Sequence, residues 1–278
     1  MGTVLDEPQA ASEIRWPVKR EIFGVQVSAT CYSETVDRMI EAAKARRPAV
    51  ASFHAAHAVV TASDDAELRR RVNCFDVVAP DGQPVRWALN WLYGTGLKDR
   101  VYGPELMLRL CEQAAEEGVS IYLYGGKNEQ ILDELQANLL KSFPDLQIAG
   151  AESPPFRPLT EEEDAEVVDR INRSGAGVVF VGLGCPKQDH FAYEHRETIL
   201  AVQACVGAAF DFHAGQTTMA PAWMQRNGLE CLFRICCEPR RLWRRYLVTN
   251  TRFLFKLLSQ WVCGPRGKAA AIPEPAKG

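Results

Sequence analysis

The sequence lacks the features that mark several classes of protein. Its nine cysteines include no Cys-x-x-Cys pair, so a zinc knuckle is not expected. No apolar run reaches the roughly 18 residues that a membrane-spanning helix needs. The first 21 residues are polar and of mixed charge, without the apolar core of a signal peptide. These absences predict a cytoplasmic protein with reduced cysteines.

Charge is distributed unevenly along the chain. The 278 residues carry a net charge of −3, and 47% of them are hydrophobic, as is usual for a globular protein with a sizeable core. Residues 220–263, however, hold eight Lys or Arg against two acids, Glu230 and Glu238. We therefore expect an acidic body that carries a basic C-terminal segment, and no general attraction to nucleic acid.

Composition divides the chain into four parts. Residues 1–20 are predicted to form a flexible leader. Residues 264–278 are rich in Gly, Pro and Ala and are predicted to form a disordered tail. Between these segments we predict an α/β domain over 21–219 and a helical appendage over 220–263.

Apolar segments alternate with amphipathic ones inside the α/β domain. Runs rich in β-branched and aromatic residues predict strands over 49–53, 75–79, 121–124, 147–150, 177–181 and 202–207. Helical periodicity predicts helices over 34–46, 65–73, 103–117, 129–143 and 160–173. The alternation indicates a Rossmann-like parallel sheet flanked by helices, in which ligands bind beyond the C-terminal ends of the strands.

Two of the predicted strands end in glycine turns that are followed by a lysine and a helix. The first turn holds Gly125 and Gly126, and the second holds Gly182 and Gly184 and leads to Lys187 and Gln188. Backbone amides in such turns can approach an anion closely, and the helix dipole favours negative charge, so a diphosphate site is one interpretation. Ordinary turn chemistry is the other.

Two carboxylates follow strands. Asp81, with Gly82 after it, comes directly after the strand predicted over 75–79 and is the stronger candidate for a general base. Asp211 is the second candidate, although its aromatic neighbours are equally consistent with a structural acid. A simple turn is the alternative for Asp81.

Histidines near strand ends raise the question of a metal site. His54-x-x-His57 and Asp211-x-His213 contain ligand types that zinc prefers. The three-residue spacing suits one turn of a helix, but His54 is predicted to lie at a strand end. We therefore expect no metal.

The basic segment predicts a long amphipathic helix after Pro239. Its apolar arc contains Trp243, Leu247, Asn250, Leu254, Leu257, Leu258 and Trp261, and its basic arc contains Arg241, Arg244, Arg245, Arg252 and Lys256. Three interpretations stay open: a terminal helix packed on the body, a helix that lies in an anionic membrane surface, and a nucleic-acid-binding helix. The acidic remainder of the chain argues against the last.

Six motifs occur in an order that resembles one known family. They are PDGQPV at 80–85, GPELM at 103–107, YGGK at 124–127, VGLGCPKQD at 181–189, GAAFDFHAG at 207–215 and APAWMQRNGLECLFRICCEPRRLWRRYL at 220–247. Together they resemble the WecG/TagA/CpsF family, glycosyltransferase family 26, over roughly residues 20–260.

The resemblance implies a function. Family members transfer a sugar, such as N-acetylmannosamine, its uronate or a glucose-type sugar, from a UDP-sugar to a polyprenyl-diphosphate-linked saccharide. They work at the inner face of the bacterial plasma membrane in cell-surface polysaccharide biosynthesis. The transfer inverts the anomeric centre and needs no metal or other cofactor. The absence of an Asp-x-Asp motif, which many sugar-nucleotide enzymes use to hold a metal, agrees with this. Self-association is an open possibility.

The resemblance also implies residue roles. Asp81 corresponds to the proposed general base, and Arg234, Arg241 and Arg244 correspond to arginines that the appendage supplies to the active site. His54 is a further candidate catalytic residue, since His54 or His57 would orient the donor or acceptor sugar. The candidate substrate-binding residues are His57, Gly82, Glu105, Gly125, Gly126, Gly182, Gly184, Lys187, Gln188 and Asp211, and the candidate membrane contacts are Trp243, Leu247, Leu254 and Trp261.

The chain departs from the family pattern at four positions. His54 stands where the family has an active-site Asn, Glu105 replaces Asp, Asp189 replaces Glu and Cys231 replaces Trp. Two other functions therefore stay open. One is a membrane-bound scaffold that has lost activity, and the other is a nicotinamide-dependent oxidoreductase that uses Gly182-x-Gly184. The incomplete Gly-x-Gly-x-x-Gly motif argues against the oxidoreductase.

Overall fold

The computed structural model describes residues 14–155, 157–237 and 239–263. The strands are β1 Lys19–Ile22, β2 Val25–Ser28, β3 Ala49–His54, β4 Val77–Pro80, β5 Ile121–Gly125, β6 Ile148–Glu152, β7 Val178–Gly182 and β8 Val202–Cys205. The helices are α1 Tyr32–Lys44, α2 Ala56–Asp64, α3 Ala66–Asn73, α4 Gln83–Tyr93, α5 Gly103–Glu116, α6 Glu129–Ser142, α7 Glu161–Ser174, α8 Lys187–Glu194, α9 Ala209–His213, α10 Ala222–Arg226, α11 Glu230–Cys237 and α12 Pro239–Cys263.

Six strands form one parallel sheet in the order β4-β3-β8-β7-β5-β6, and β1 and β2 form a separate antiparallel hairpin. Helices cover both faces of the large sheet, since its central strands are buried throughout. The predicted Rossmann-like α/β fold is therefore confirmed. All six C-terminal strand ends lie on one edge of the sheet, which is where the candidate residues were expected.

Local sequence signals account for the ends of several helices. Thr160 and Glu163 form the expected capping box at the start of α7. Gly175 ends that helix in the left-handed conformation, with φ of 68°. Helices α2, α4 and α9 were not predicted, and α8 was expected only as a helix that follows the turn at Gly182 and Gly184. Helix α2 is apolar on most sides, so helical periodicity gave little signal there.

The N-terminal boundary needs a correction. The predicted leader over 1–20 overlaps the folded body, because β1 begins at Lys19 and Ile14 is buried in the core. The first 13 residues, like the predicted tail over 264–278, lie outside the described part of the chain.

The appendage consists of α10, α11 and α12. The last of these packs against α2 through Phe253 and Leu257, and the Phe253 ring meets that of Phe23 edge-on at a centroid distance of 5.1 Å. Leu257 is therefore buried on the docking face, whereas Leu254 and Trp261 of the same predicted apolar arc are exposed. No helix in the described ranges has the length and hydropathy to span a bilayer.

The basic arc of α12 also faces the body in part. Arg252 lies 2.7 Å and Lys256 3.0 Å from the carboxylate of Asp64, the last residue of α2. These two cations are therefore paired within the protein.

Candidate functional site

Asp81 follows β4 at the C-terminal edge of the sheet. Its backbone N–H donates to the carbonyl of His54 at the end of β3 (3.2 Å), and its carboxylate accepts a hydrogen bond from the backbone N–H of Gly103. A Cβ atom on Gly103 would lie 3.7 Å from Asp81 Oδ2 and 3.4 Å from the carbonyl of Val206. The start of α5 thus approaches both the carboxylate and the end of β8, which borders the cavity described below.

A buried ion pair stands beside Asp81. Arg100 Nη2 lies 2.5 Å from Glu230 Oε2, and the two side chains are only 9% and 12% exposed. Arg100 comes from the loop between α4 and α5, and its guanidinium stacks on the ring of Tyr102 at 4.3 Å. Glu230 belongs to α11. The body and the appendage therefore meet through opposite charges at the site.

Burial raises the pKa of Asp81 to about 7. The positive charge of Arg100 opposes this rise, and Glu230 adds to it. The Gly103 N–H and Arg234 oppose it to a smaller extent. A carboxylate with a near-neutral pKa can both accept and release a proton near pH 7, as a general base requires.

His54 does not face the open edge of the sheet. Its side chain is 1% exposed, and Nε2 lies 3.2 Å from Asp189 Oδ1, which also accepts a hydrogen bond from Ser52 Oγ at 2.7 Å. The expectation that His54 contacts a sugar directly is therefore corrected. In this structure it orients Asp189 beneath the surface.

Asp189 is held as a carboxylate. Burial alone would raise its pKa, but the charge of His54 and the hydrogen bonds from His54 and Ser52 outweigh burial and hold the pKa of Asp189 below its usual value. From the sequence, Asp189 was expected only as a departure from the family pattern. His54 and Ser52 lie in β3, 135 and 137 positions away, so no local pattern could have indicated these two partners.

A cavity of about 810 Å³ opens at the ends of β5, β6 and β7. Five of the predicted residues line it: Gly126, Gly182, Gly184, Lys187 and Asp211. Gly207, which follows β8, also lines it, and this places the cavity next to the edge that carries Asp81. Its size is that of a site for a nucleotide-sized ligand.

Gly125 and Gln188 support the cavity from behind. Gly125 has φ of +139°, and a Cβ atom on it would lie 2.6 Å from the backbone of Gly182, so the close approach of β5 to β7 requires glycine. The buried Gln188 amide accepts from the N–H of Gly184 at 3.2 Å and donates to the carbonyl of Cys205 at 3.1 Å. The expectation that Gln188 lines the ligand site is therefore corrected, because both ends of its amide bind the backbone.

Three cationic side chains line the cavity, and they differ in whether they form an ion pair. Lys127 pairs with Asp211 at 2.8 Å, and Arg157 pairs with Glu163. Lys187 is exposed and forms no ion pair with any residue that the structure describes. Lys187 is thus the cation best placed to meet an incoming anion.

The other predicted substrate-binding residues lie at the starts of α2, α4 and α5. Gly82 is the N-cap residue of α4 and lies close to Ala55. His57 lies in the first turn of α2 and is partly buried. Glu105, in the first turn of α5, pairs with Arg109 at 2.9 Å. Whether these three residues contact substrate stays a prediction.

Of the three arginines predicted from the appendage, Arg234 is described. Its guanidinium lies 5.6 Å from the centre of the Phe212 ring and lowers the pKa of Asp81. Arg241 and Arg244 lie in α12, but their side chains are outside the described part of the structure.

The predicted membrane contacts form an exposed apolar surface on α12. Trp243, Leu247, Leu254 and Trp261 are between 50% and 62% exposed. The Trp261 ring also packs 5.4 Å from that of Trp91, an exposed residue of α4. Body and appendage therefore both contribute aromatic side chains to one surface.

Arg100 and Tyr102 were not predicted from the sequence, and Gly103 was named only as the first residue of the GPELM motif. Arg100 lies in a loop without a recognisable pattern, and nothing local distinguishes it from other surface arginines. Glu230 stands out in the sequence because it is one of two acids among eight cations in residues 220–263. Its partner Arg100, however, lies 130 positions away.

Within the described ranges, no group of three or more His, Cys, Asp or Glu side chains is arranged to hold a metal ion. His54 and His57 do not converge with further ligands there.

One family model matches the chain over most of its length. The model for the glycosyl transferase WecG/TagA/CpsF family matches residues 20–267, a range that includes Asp81, the cavity and the appendage. The match confirms the resemblance seen in the six motifs, and it implies a sugar-nucleotide donor and a sugar acceptor. This chain belongs to the WecG/TagA/CpsF family of glycosyl transferases.

Proposed function

We propose that the protein is an inverting, metal-independent glycosyltransferase. It moves N-acetylmannosamine, its uronate or a glucose-type sugar from a UDP-sugar to a polyprenyl-diphosphate-linked saccharide in cell-surface polysaccharide biosynthesis. The observation that carries this proposal is the position of Asp81, whose pKa is raised to about 7, at the same sheet edge as a glycine-lined cavity. The family match supports the transferase chemistry.

The proposed reaction is a single displacement. The acceptor hydroxyl gives its proton to the Asp81 carboxylate, and its oxygen forms a bond to the anomeric carbon of the donor sugar. On the opposite face the bond from that carbon to the UDP oxygen breaks, and the electron pair leaves with UDP. Direct displacement inverts the anomeric centre. General-base assistance of this kind contributes about 10²–10⁴-fold to a rate.

The leaving diphosphate needs positive charge. Lys187 and the turns at Gly126 and Gly184 are the groups of the cavity that suit it, since backbone N–H groups in glycine turns and a lysine both bind phosphate oxygens. Arg234, with Arg241 and Arg244, is proposed to add charge from the appendage. Charges placed in advance where negative charge develops are commonly the largest contribution to catalysis.

A lipid-linked acceptor is anchored in a membrane, so the protein must bind the membrane surface to reach the acceptor. The exposed apolar surface of α12, together with Trp91, is proposed to lie in the interface at the inner face of the bacterial plasma membrane. A polyprenyl chain would then stay in the lipid while its sugar reaches Asp81.

UDP release tests the proposal directly. A panel of UDP-sugars would be incubated with a prenyl-diphosphate-GlcNAc analogue as acceptor, with EDTA and without added metal, beside Asp81→Ala. We expect acceptor-dependent release with one donor and its collapse in the variant. Release that requires added metal would overturn the metal-independent mechanism. Calorimetry with UDP and with NAD provides the control, since binding of NAD alone would favour a nicotinamide enzyme.

A further inference from the structure

The appendage reaches the candidate base through a buried charge. Glu230 lies in the first turn of α11, and its carboxylate meets Arg100 of the body at 2.5 Å. Gln225 of α10 adds a longer contact to the same guanidinium, 3.4 Å from Arg100 Nη2. Both side chains of the ion pair are almost fully removed from solvent, so water screens their charges little.

Arg100 forms its ion pair with Glu230, and its charge also acts on Asp81. It attracts Asp81 and at the same time pairs with Glu230, and the two acids repel each other. The other groups that influence Asp81 are the Gly103 N–H of α5 and Arg234 of α11, both of which favour the carboxylate. Tyr32 and Tyr102 also interact with Asp81, and burial keeps both of these phenols neutral. Glu230 is thus the negative group whose removal changes the balance at Asp81 most directly.

We infer that Glu230 is a positioning residue for catalysis: by engaging Arg100 it prevents this guanidinium from neutralising Asp81, so that docking of the appendage keeps Asp81 a stronger base. The inference rests on the proposed role of Asp81. It goes further in assigning a second task to the appendage, which then controls the proton affinity of the base as well as supplying arginines.

Titration of Asp81 by ¹³C NMR tests this inference. The full chain would be labelled at the aspartate carboxyl carbons, and the Asp81 signal would be assigned with Asp81→Asn. In Glu230→Gln we expect the titration midpoint of Asp81 to fall by about one pH unit, because a repelling charge is lost and Arg100 is released. In Arg100→Met we expect it to rise by a similar amount.

The opposite directions are the decisive feature. Each substitution breaks the same ion pair, so a purely structural effect of loosening the appendage would move both midpoints in the same direction. An unchanged midpoint in Glu230→Gln, or shifts of the same sign in both variants, would overturn the inference. Glu230→Asp keeps the negative charge, so the Asp81 titration midpoint in this variant is expected to stay near the wild-type value. This comparison keeps the test decisive if Arg100→Met does not fold.

A matched control removes a charge from an ion pair elsewhere. Glu117→Gln breaks the exposed pair with Lys44 and is expected to leave the Asp81 titration unchanged. The NMR measurement reports on Asp81 whether or not any tested UDP-sugar is a substrate, so failure of the inference is distinguishable from failure of the proposed function. Where UDP release is measurable, the acidic limb of its pH profile should shift with the NMR midpoint in each variant.

Discussion

The two halves of the sheet edge are built from different kinds of residue. At β4 and β3, Asp81, Arg100 and Glu230 bring together charged side chains that are largely shielded from solvent. We call these three residues the charged half. At β7, β5 and β6, glycine turns leave the backbone accessible around a cavity of about 810 Å³. We call Gly126, Gly182, Gly184, Lys187 and Asp211 the cavity half.

This difference shows how one sheet edge can hold the proposed base and the proposed phosphate-binding groups in separate regions. A base with a raised pKa needs a site from which water is partly removed, and this costs stability when the group is ionised. A phosphate site needs exposed N–H groups and a cation in contact with solvent. Substitutions in the charged half should therefore change kcat and its pH dependence, whereas those in the cavity half should change donor affinity.

The largest effect is expected for Asp81→Asn. The amide keeps the shape of the side chain but cannot accept the proton, so kcat should fall by about 10²–10⁴-fold. UDP affinity measured by calorimetry should stay at the wild-type value. Equal losses of UDP affinity and activity would break the distinction between the halves, and retained activity would shift the role of base to Asp211.

The same variant should gain stability at high pH. The folded-state pKa of Asp81, about 7, lies above the usual value of 3.8, so the folded protein binds the proton more tightly than the unfolded chain does. The carboxylate therefore lowers stability increasingly as pH rises from about 4 to 7. At pH 8, urea unfolding should show Asp81→Asn to be more stable by on the order of 4 kcal/mol. A less stable variant would contradict this assignment of the pKa.

The pH dependence of activity should distinguish the charged half from the cavity half. Because Asp81 must be ionised to accept a proton, kcat/KM should fall about tenfold per pH unit below its pKa of about 7. The affinity for UDP, measured over the same pH range, should change far less. An acidic limb that appears equally in UDP binding would place the titrating group in the cavity half.

Two glycine substitutions separate close packing from turn geometry. Gly125→Ala places a Cβ atom 2.6 Å from the backbone of Gly182, and neither backbone can move without breaking the pairing of β5 with β7. We expect a loss of about 3 kcal/mol in urea unfolding. Gly184→Ala is the control, since its φ of +77° is strained for alanine but nothing lies within 4 Å of the new atom. It should cost about 1 kcal/mol, and equal losses would show that packing is not the cause.

The smallest effect is expected for Lys187→Gln. Lys187 is exposed and pairs with no described acid, so its removal should leave the fold unchanged and weaken UDP binding about tenfold, with a smaller effect on kcat. Lys127→Gln is the matched control. Since Lys127 is already paired with Asp211, its loss should weaken UDP binding less than the loss of Lys187 does.

Much of the fold follows from local pattern. The predicted strands and helices agree with the structure to within about three residues at most ends, because alternation and helical periodicity reflect which side of each element is buried. The glycines after β5 and β7 and the carboxylate after β4 were also placed correctly. Such residues follow directly from where a strand ends, and parallel strands bring their ends to one edge.

Three features of the site depended on contacts between distant residues. The burial of His54 against Asp189, the clamp that Gln188 forms between Gly184 and Cys205, and the Arg100–Glu230 pair were not predicted. In each case a polar residue with the right chemistry for a ligand binds another part of the protein. Sequence spacing identifies the chemical capacity of such a residue, but its partner depends on packing.

In the appendage, too, some features follow from the local sequence and others depend on tertiary contacts. By itself the sequence determined that residues 239–261 form a long basic helix with an apolar arc, because periodicity and charge are local properties. Only the tertiary structure decided that Phe253 and Leu257 dock on α2 while Leu254 and Trp261 stay exposed. It also decided that Glu230 reaches Arg100. A helical wheel shows which side chains share a face, but the shape and charge of the opposing surface select the face that is buried.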